Sequence, residues 1–410
     1  MKKQILVILL ASFCLVFSAH QIQEQSIVIN VEIPTRVFDG NTFVDNLTID
    51  DFEIYEDGQP QKLDAIYLIK KKSIERREEI KRFNPQTSRQ FFLWFQISEY
   101  MPRIREAIEY FFENVFIPGD NLVVITSVKV YNLNSQAIEL KSKEEISDQL
   151  VKIIRKDALS GNVEYRAAMR DLHEIVQIIE ERAEESTNTS TVGDEITSDF
   201  SVFNVGSLEE VLQSYSTIVE NLEDLRKMDQ NNLLEYAEYL KEKDGQKHIF
   251  LFYEREFLPQ LAPNTLDKFM SQYQDNPAMQ LTMSSLFQTY KRDVTIDVDR
   301  VKQTFADSSL SVHFLFLKSM RAHRRGLQMQ ERSEDVYNAF RQMAQATGGI
   351  TESSSNPAWA FQKAVDAFEN YYLLYYSPQN YRADGKFKNI VVKIKNRKFR
   401  VTHRTGYFAN

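Results

Sequence analysis

The chain has 410 residues, 43% of them apolar and 26% charged, and a net charge of −8 at pH 7. That length exceeds one average domain, and the balance is that of a globular protein, not a disordered or fibrous one. The acidic surplus argues against general nucleic-acid or anionic-membrane binding, and the single cysteine, Cys14, rules out a disulfide framework within the chain.

In chain order, Lys2 and Lys3 precede the apolar run Ile5–Phe17, which is too short to span a bilayer and is followed at once by polar residues. This is the pattern of a secretory signal peptide over 1–19, with cleavage after Ser18 or Ala19. Cys14 lies inside that run, so the expected exported chain has no thiol and must be held by its core alone. Ser26–Ile33 alternates as a strand, and Val37–Phe43 around Asp39-Gly40-Asn41 reads as a hairpin. Phe52–Tyr55 and Lys62–Ile69 are further strands, separated by the Glu56-Asp57-Gly58 turn. Lys70–Arg82 is charged and mostly basic, and reads as a solvated connector or helix face.

Phe91–Phe95 is a continuous apolar run, as for a strand covered on both faces. Pro102 suits the first turn of a helix, and Ile104, Ile108, Phe111, Phe112 and Val115 keep helical spacing after it. Asn121–Ser127 is a second apolar strand, which makes this a βαβ unit. Helices are expected over Lys143–Arg155, Glu164–Glu181 and Leu208–Glu242, the last bent or broken near Asp229–Asn232. Glu185–Asn204 is polar and reads as a flexible loop. His248–Tyr253 and Ser311–Leu317 are buried strands, with a mostly helical, polar insertion over Thr265–Phe305 between them. A helix over Ser333–Thr347 ends at Gly348-Gly349, and Asn356-Pro357 opens another that runs to about Asn370. Tyr371–Ser377 is an aromatic strand, and Lys388–Lys395 with Lys398–Arg404 reads as a hairpin.

Little of this composition carries catalytic chemistry. The histidines His173, His248, His313, His323 and His403 are scattered, without metal-ligand spacing. There is no G-x-S-x-G elbow, Walker loop or dinucleotide glycine pattern. The acid pairs Asp50-Asp51 and Glu78-Glu79 read as turn and surface residues, and the tyrosines of Tyr371–Tyr376 as aromatic packing in a sheet.

Several segments, in order, carry a resemblance. Leu47–Gln61, LTIDDFEIYEDGQPQ, is similar to an "L-t-x-x-D-F-x-v-x-E-D-G-x-x-Q" signature. Ala344–Gly349, Tyr372–Pro378, Asp384–Phe387 and Arg404–Phe408 are similar to "A-x-x-T-G-G", "Y-x-L-x-Y-x-P", "D-G-x-f" and "R-x-G-Y-x" segments of the same family. On these residues the chain resembles bacterial exported proteins with a von Willebrand factor A-related (vWA-like) domain. The resemblance implies an α/β fold with a doubly wound, mostly parallel sheet. It also implies a metal-ion-dependent adhesion site at the carboxyl edge of that sheet, where open α/β sheets bind ligands. That family's site has D-x-S-x-S after the first strand, a threonine from a later loop and an aspartate after a further strand. Here the positions fall on Gln96, Ser98 and Tyr100, near Asn162 or Val163, and on Glu254, with Arg255 in place of a common glycine.

Magnesium wants about six oxygens near 2.0–2.1 Å and is usually held by carboxylates. Gln96 brings no charge, Tyr100 replaces a small hydroxyl with a ring, and Arg255 brings a cation. The expected domains are an N-terminal β segment over 20–70, a charged linker over 71–89 and a vWA-like α/β domain over 90–370. The last has helical insertions at 185–245 and 259–310, and a C-terminal β segment over 371–410 packs with 20–70 as a small β domain. The expected function is a non-enzymatic one: an exported, periplasmic or extracellular protein that binds a protein partner through a domain that has lost its metal. The binding positions would be Gln96, Ser98, Tyr100 and Glu254, with no cofactor, no nucleic-acid partner and no membrane-spanning segment after leader removal. Three alternatives stay open: a magnesium-dependent adhesion site using Ser98 and Glu254, an envelope enzyme with a site not visible in sequence, and a local role in which Ser98 and Gln96 only cap the following helix.

Overall fold

The computed structural model describes residues 29–133, 140–185, 207–225, 229–288, 296–318, 327–395 and 398–410. The segment expected as a signal peptide, the start of the first expected strand and nearly all of the polar loop expected over Glu185–Asn204 lie outside the described residues. Strand β1 (Val31–Asp39) turns through Gly40, at φ +58°, into β2 (Thr42–Phe43). Then come β3 (Phe52–Glu56), β4 (Gln59–Gln61), β5 (Leu63–Lys70) and β6 (Ser73–Glu79). Strand β7 (Arg89–Gln96) leads to α1 (Ile104–Tyr110), which continues as a π turn over Phe111–Val115. Next are β8 (Asn121–Ile125), β9 (Val130–Leu133), α2 (Lys143–Ser160), α3 (Val163–Glu185), α4 (Leu208–Asp224) and α5 (Gln230–Lys241). They are followed by β10 (Gln246–Glu254), β11 (Phe257–Leu261), α6 (Pro263–Gln272), α7 (Pro277–Gln288) and α8 (Val298–Asp307). The chain closes with β12 (Leu310–Leu317), β13 (Leu327–Glu331), α9 (Glu334–Ala346), β14 (Thr351–Ser354), α10 (Pro357–Phe368), β15 (Asn370–Tyr376), β16 (Phe387–Ile394), β17 (Arg400–His403) and β18 (Gly406–Phe408).

Local chemistry sets many of these boundaries. Ser142 and Glu145 form a capping box at the start of α2, and Ser207, Asp229, Asp297 and Asn356 cap α4, α5, α8 and α10 through their side chains. Each accepts from backbone N–H groups that have no partner in the first helical turn.

The pairings overturn the expected fold class. The sheet that carries β7 runs β14-β12-β10-β7-β8-β9 and is mixed: its inner pairings are parallel, and β9 is antiparallel to β8. Thr126 N–H bonds the Lys129 carbonyl at 3.0 Å, closing a tight turn between β8 and β9. A turn that short leaves no room for a crossover helix and forces an antiparallel neighbour. Beside this sheet stand antiparallel sheets of six strands (β17-β1-β15-β5-β6, with β2 on β1), four strands (β18-β16-β3-β4) and two strands (β11-β13). The molecule is mixed α/β with most of its strands antiparallel, not a doubly wound parallel sheet carrying a small β appendage.

Two further expectations change. The charged stretch read as a connector contains β6, paired antiparallel to β5 with alternating exposure. The C-terminal strands β16 and β17 are no hairpin: β16 pairs with β3 and β18, whereas β17 pairs with β1. Helices α1, α2 and α10 cover one face of the mixed sheet through Ile104, Phe111, Leu150 and Phe361. Helices α5, α8 and α9 cover the other through Leu240, Phe305 and Phe340. Helix α5, within a span expected as an insertion, therefore packs on the sheet itself. A separate cluster joins α3 and α4 to the α6–α7 pair through Leu172, Leu212, Tyr215 and Met283. Among the described residues no helix is long and apolar enough to cross a membrane.

Candidate functional site at the carboxyl edge of the mixed sheet

Strands β7 and β10 are parallel neighbours with Tyr253 opposite Gln96, so their carboxyl ends lie side by side. This brings Ser98, two residues past β7, onto Glu254, the last residue of β10. The Ser98 N–H donates to Glu254 Oε2 at 2.7 Å and the Ser98 hydroxyl donates to the same oxygen at 2.6 Å. The Glu99 N–H lies 3.4 Å from it. Ser98 is 1% exposed and Glu254 is 0% exposed. A buried carboxylate needs donors to replace water, and Ser98 supplies two of them.

The other expected positions do not join this pair. Successive side chains of a strand point to opposite faces. Gln96 therefore shares its face with Trp94 and with its partner Tyr253, and lines a cleft with them on the α5 side. Phe95 and Phe252 stack on each other on the opposite face, with centroids 4.6 Å apart. Tyr100 is half-buried against the α1–α10 core, and burial raises its phenol above the ordinary tyrosine value. Asn162, near the expected threonine position, donates to the Ala158 carbonyl at 2.9 Å and the Ile97 carbonyl at 3.3 Å, tying the α2–α3 junction to the end of β7. Arg255 bonds Ser353 and Glu331 and lies 4.7 Å from the ring centre of Phe316, so its charge is spent across β12, β13 and β14.

The helix-capping role is also displaced. Helix α1 begins at Ile104, and its N-cap, Arg103, makes no side-chain cap. Ser98 serves Glu254 instead. The residues present do not fit magnesium. The carboxylate oxygen nearest Ser98 already accepts two short hydrogen bonds, Gln96 is on the other face, and Tyr100 is packed. Among the described residues no three His, Cys, Asp or Glu side chains converge as ligands for a cation.

Sequence reasoning missed the cleft that Gln96 enters. Its volume is about 390 Å³, and its walls include Trp94, Tyr236 and Tyr253 with Asp229, Asn232 and Glu256. The Trp94 and Tyr236 rings meet edge to face at 74°, with centroids 5.6 Å apart. Tyr253 donates its hydroxyl to Glu256, which is 3% exposed. The period-two spacing of Trp94 and Gln96 was a signal for one wall. The other comes from α5, more than a hundred residues away, and has no local signature.

No protein-family profile matches this chain, and no curated protein matches it. Among solved structures it is similar to the crystal structure of the human COPII-coat protein Sec24c, with 10% identity and a TM-score of 0.25. That overlap covers 80% of this chain and 44% of the other, so the chain spans less than half the length of that structure. Likeness at this level carries no argument about fold or function.

Proposed function

We propose that this protein is a non-enzymatic binding protein, related to the exported von Willebrand factor A-type proteins, that engages a protein partner at the carboxyl edge of its mixed sheet without a metal. The observation that carries the reading is the Ser98–Glu254 pair: the acid where a metal ligand is expected is buried and occupied by the serine where a second ligand is expected. The motif run from Leu47 to Phe408 supports the relationship, and the leader pattern over 1–19 supports export to the periplasm or beyond. Calorimetry and thermal melts with Mg²⁺ or Mn²⁺ test the metal: no heat and no shift in melting temperature are expected at millimolar ion, and saturable heat with a raised melting temperature overturns the reading. A pull-down from the cell envelope, comparing wild type with a chain altered at Ser98 and Tyr100, tests the edge. Loss of a captured partner is expected, and unchanged partners remove the edge as the recognition surface.

A further inference from the structure

We propose that the cleft between β7, β10 and the start of α5 receives the guanidinium or ammonium head of a basic side chain presented by a protein partner. The proposal rests on the interaction reading above and gives it a chemistry. Three features converge. Trp94 and Tyr236 form an aromatic corner whose rings meet at 74°, and the faces of Trp and Tyr attract organic cations. Two carboxylates, Asp229 and Glu256, line the same cleft, and carboxylates beside an aromatic corner are the chemistry that receives an organic cation. The Tyr236 hydroxyl is shut off from solvent and has no hydrogen-bond partner. Leaving such an oxygen unpaired is costly, and a small shift of the Tyr236 ring toward a bound cation would give it the N–H it lacks.

Size and rim narrow the ligand further. A volume of about 390 Å³ is near the lower end for binding pockets. It suits one side chain or a small organic cation better than a nucleotide or an oligosaccharide. The rim carries Val130 and Leu225, 50% and 36% exposed, which offer apolar contact to the methylene stem of an arginine or lysine. The Gln96 amide in the lining adds a carbonyl acceptor. The cleft thus differs from the Ser98–Glu254 pair in both face and chemistry. One end of the sheet holds a closed acid on one side and an open, acidic aromatic pocket on the other.

The chain has two tryptophans, Trp94 and Trp359, so a Trp359→Phe protein reports from Trp94 alone. Its emission is followed during titration with L-arginine amide, with capped Gly-Arg-Gly tripeptide, and with citrulline amide as the uncharged isostere. A saturable change is expected with both arginine ligands and none with citrulline amide, and it weakens as salt is raised. Asp229→Asn keeps the cap of α5 while removing charge, and should weaken binding by roughly threefold or more; Tyr236→Leu should weaken it by about tenfold. No saturable change up to about 20 mM arginine amide, an equal response to citrulline amide, or indifference to both substitutions overturns the site. A response to arginine amide but not to the tripeptide assigns the cleft to a free small cation and overturns the protein-borne side chain. If the pull-down loses its partner on altering Ser98 and Tyr100 while arginine gives no response, the interaction reading stands and this site falls. A saturable arginine response with unchanged partners leaves the site standing and removes the Ser98 edge.

Discussion

At the scale of single residues, the decisive pair is Ser98 and Glu254. Hydrogen bonds to a buried charge are worth about 1.5–3 kcal/mol, and losing a donor leaves the carboxylate short of solvation. Ser98→Ala should therefore lower stability by about 1.5–3 kcal/mol in urea unfolding, whereas Ser98→Thr, which keeps the hydroxyl, should cost less. An unchanged urea midpoint in Ser98→Ala would mean that Glu254 does not depend on that hydroxyl. The sequence pointed to both residues and to Gln96 and Tyr100 as one group. It did not show that the pleat turns Gln96 to the far face, or that a glutamate, one methylene longer than aspartate, reaches back to the Ser98 N–H and hydroxyl.

At the scale of elements, β10 and β12 each carry a histidine into the core. His248 and His313 are 2% and 1% exposed and pack among Phe91, Phe250 and Phe368. Burial first, and then the nearby charge of Arg36, hold both rings well below the ordinary histidine value; Arg89 adds to this at His248. The unfolded chain takes up protons near pH 6.5 while the folded chain does not, so the unfolded state binds more protons and stability rises with pH. The stabilisation is fully present above about pH 6.5 and is lost on acidification, at about 1.4 kcal/mol per pH unit for each histidine. Urea midpoints from about pH 7 down to pH 5 should fall with that slope. His313→Phe, which keeps a ring beside Phe250, should flatten it, and an unchanged slope would place the titration elsewhere. Strand β6 shows why some elements were not legible. Its inward positions are Ile74, Arg76 and Glu78. Arg76 donates to the Leu47 and Asp45 carbonyls, and Glu78 accepts from the Ile49 N–H at 2.8 Å. Charged side chains recruited as hydrogen-bonding partners hide the apolar–polar alternation by which a strand is recognised.

At the scale of the whole molecule, strands from the two halves of the sequence are interleaved. Strand β15 sits between β1 and β5, and β3 pairs with β16 so that Ile54 faces Val392. Phe52, Ile54, Ile390, Val392 and Ile394 share one core with Tyr372 and Tyr376. A chain ending after Ser377 keeps β15 but loses β16–β18, uncovering that core and the outer edge of β1. It should melt at a lower temperature than the full chain and bind a hydrophobic dye such as ANS; a melt and dye response equal to the full chain would show that these strands add little. Contacts of this span have a high loop-closure cost and no local signal, which is why Lys388–Lys395 and Lys398–Arg404 read as a hairpin although they belong to different sheets.

The sequence by itself determined most element types: the apolar runs of β7, β10 and β12, the capped helices and the glycine turns follow from side-chain periodicity and backbone chemistry within a few neighbours. It also marked Ser98 and Glu254 as the place to look. Tertiary structure alone decided strand direction, the mixed character of the central sheet, the closure of the acid by the serine and the cleft between β7 and α5. Each of these depends on which distant segments share a face or an edge, and that is set by global packing, not by any local pattern along the chain.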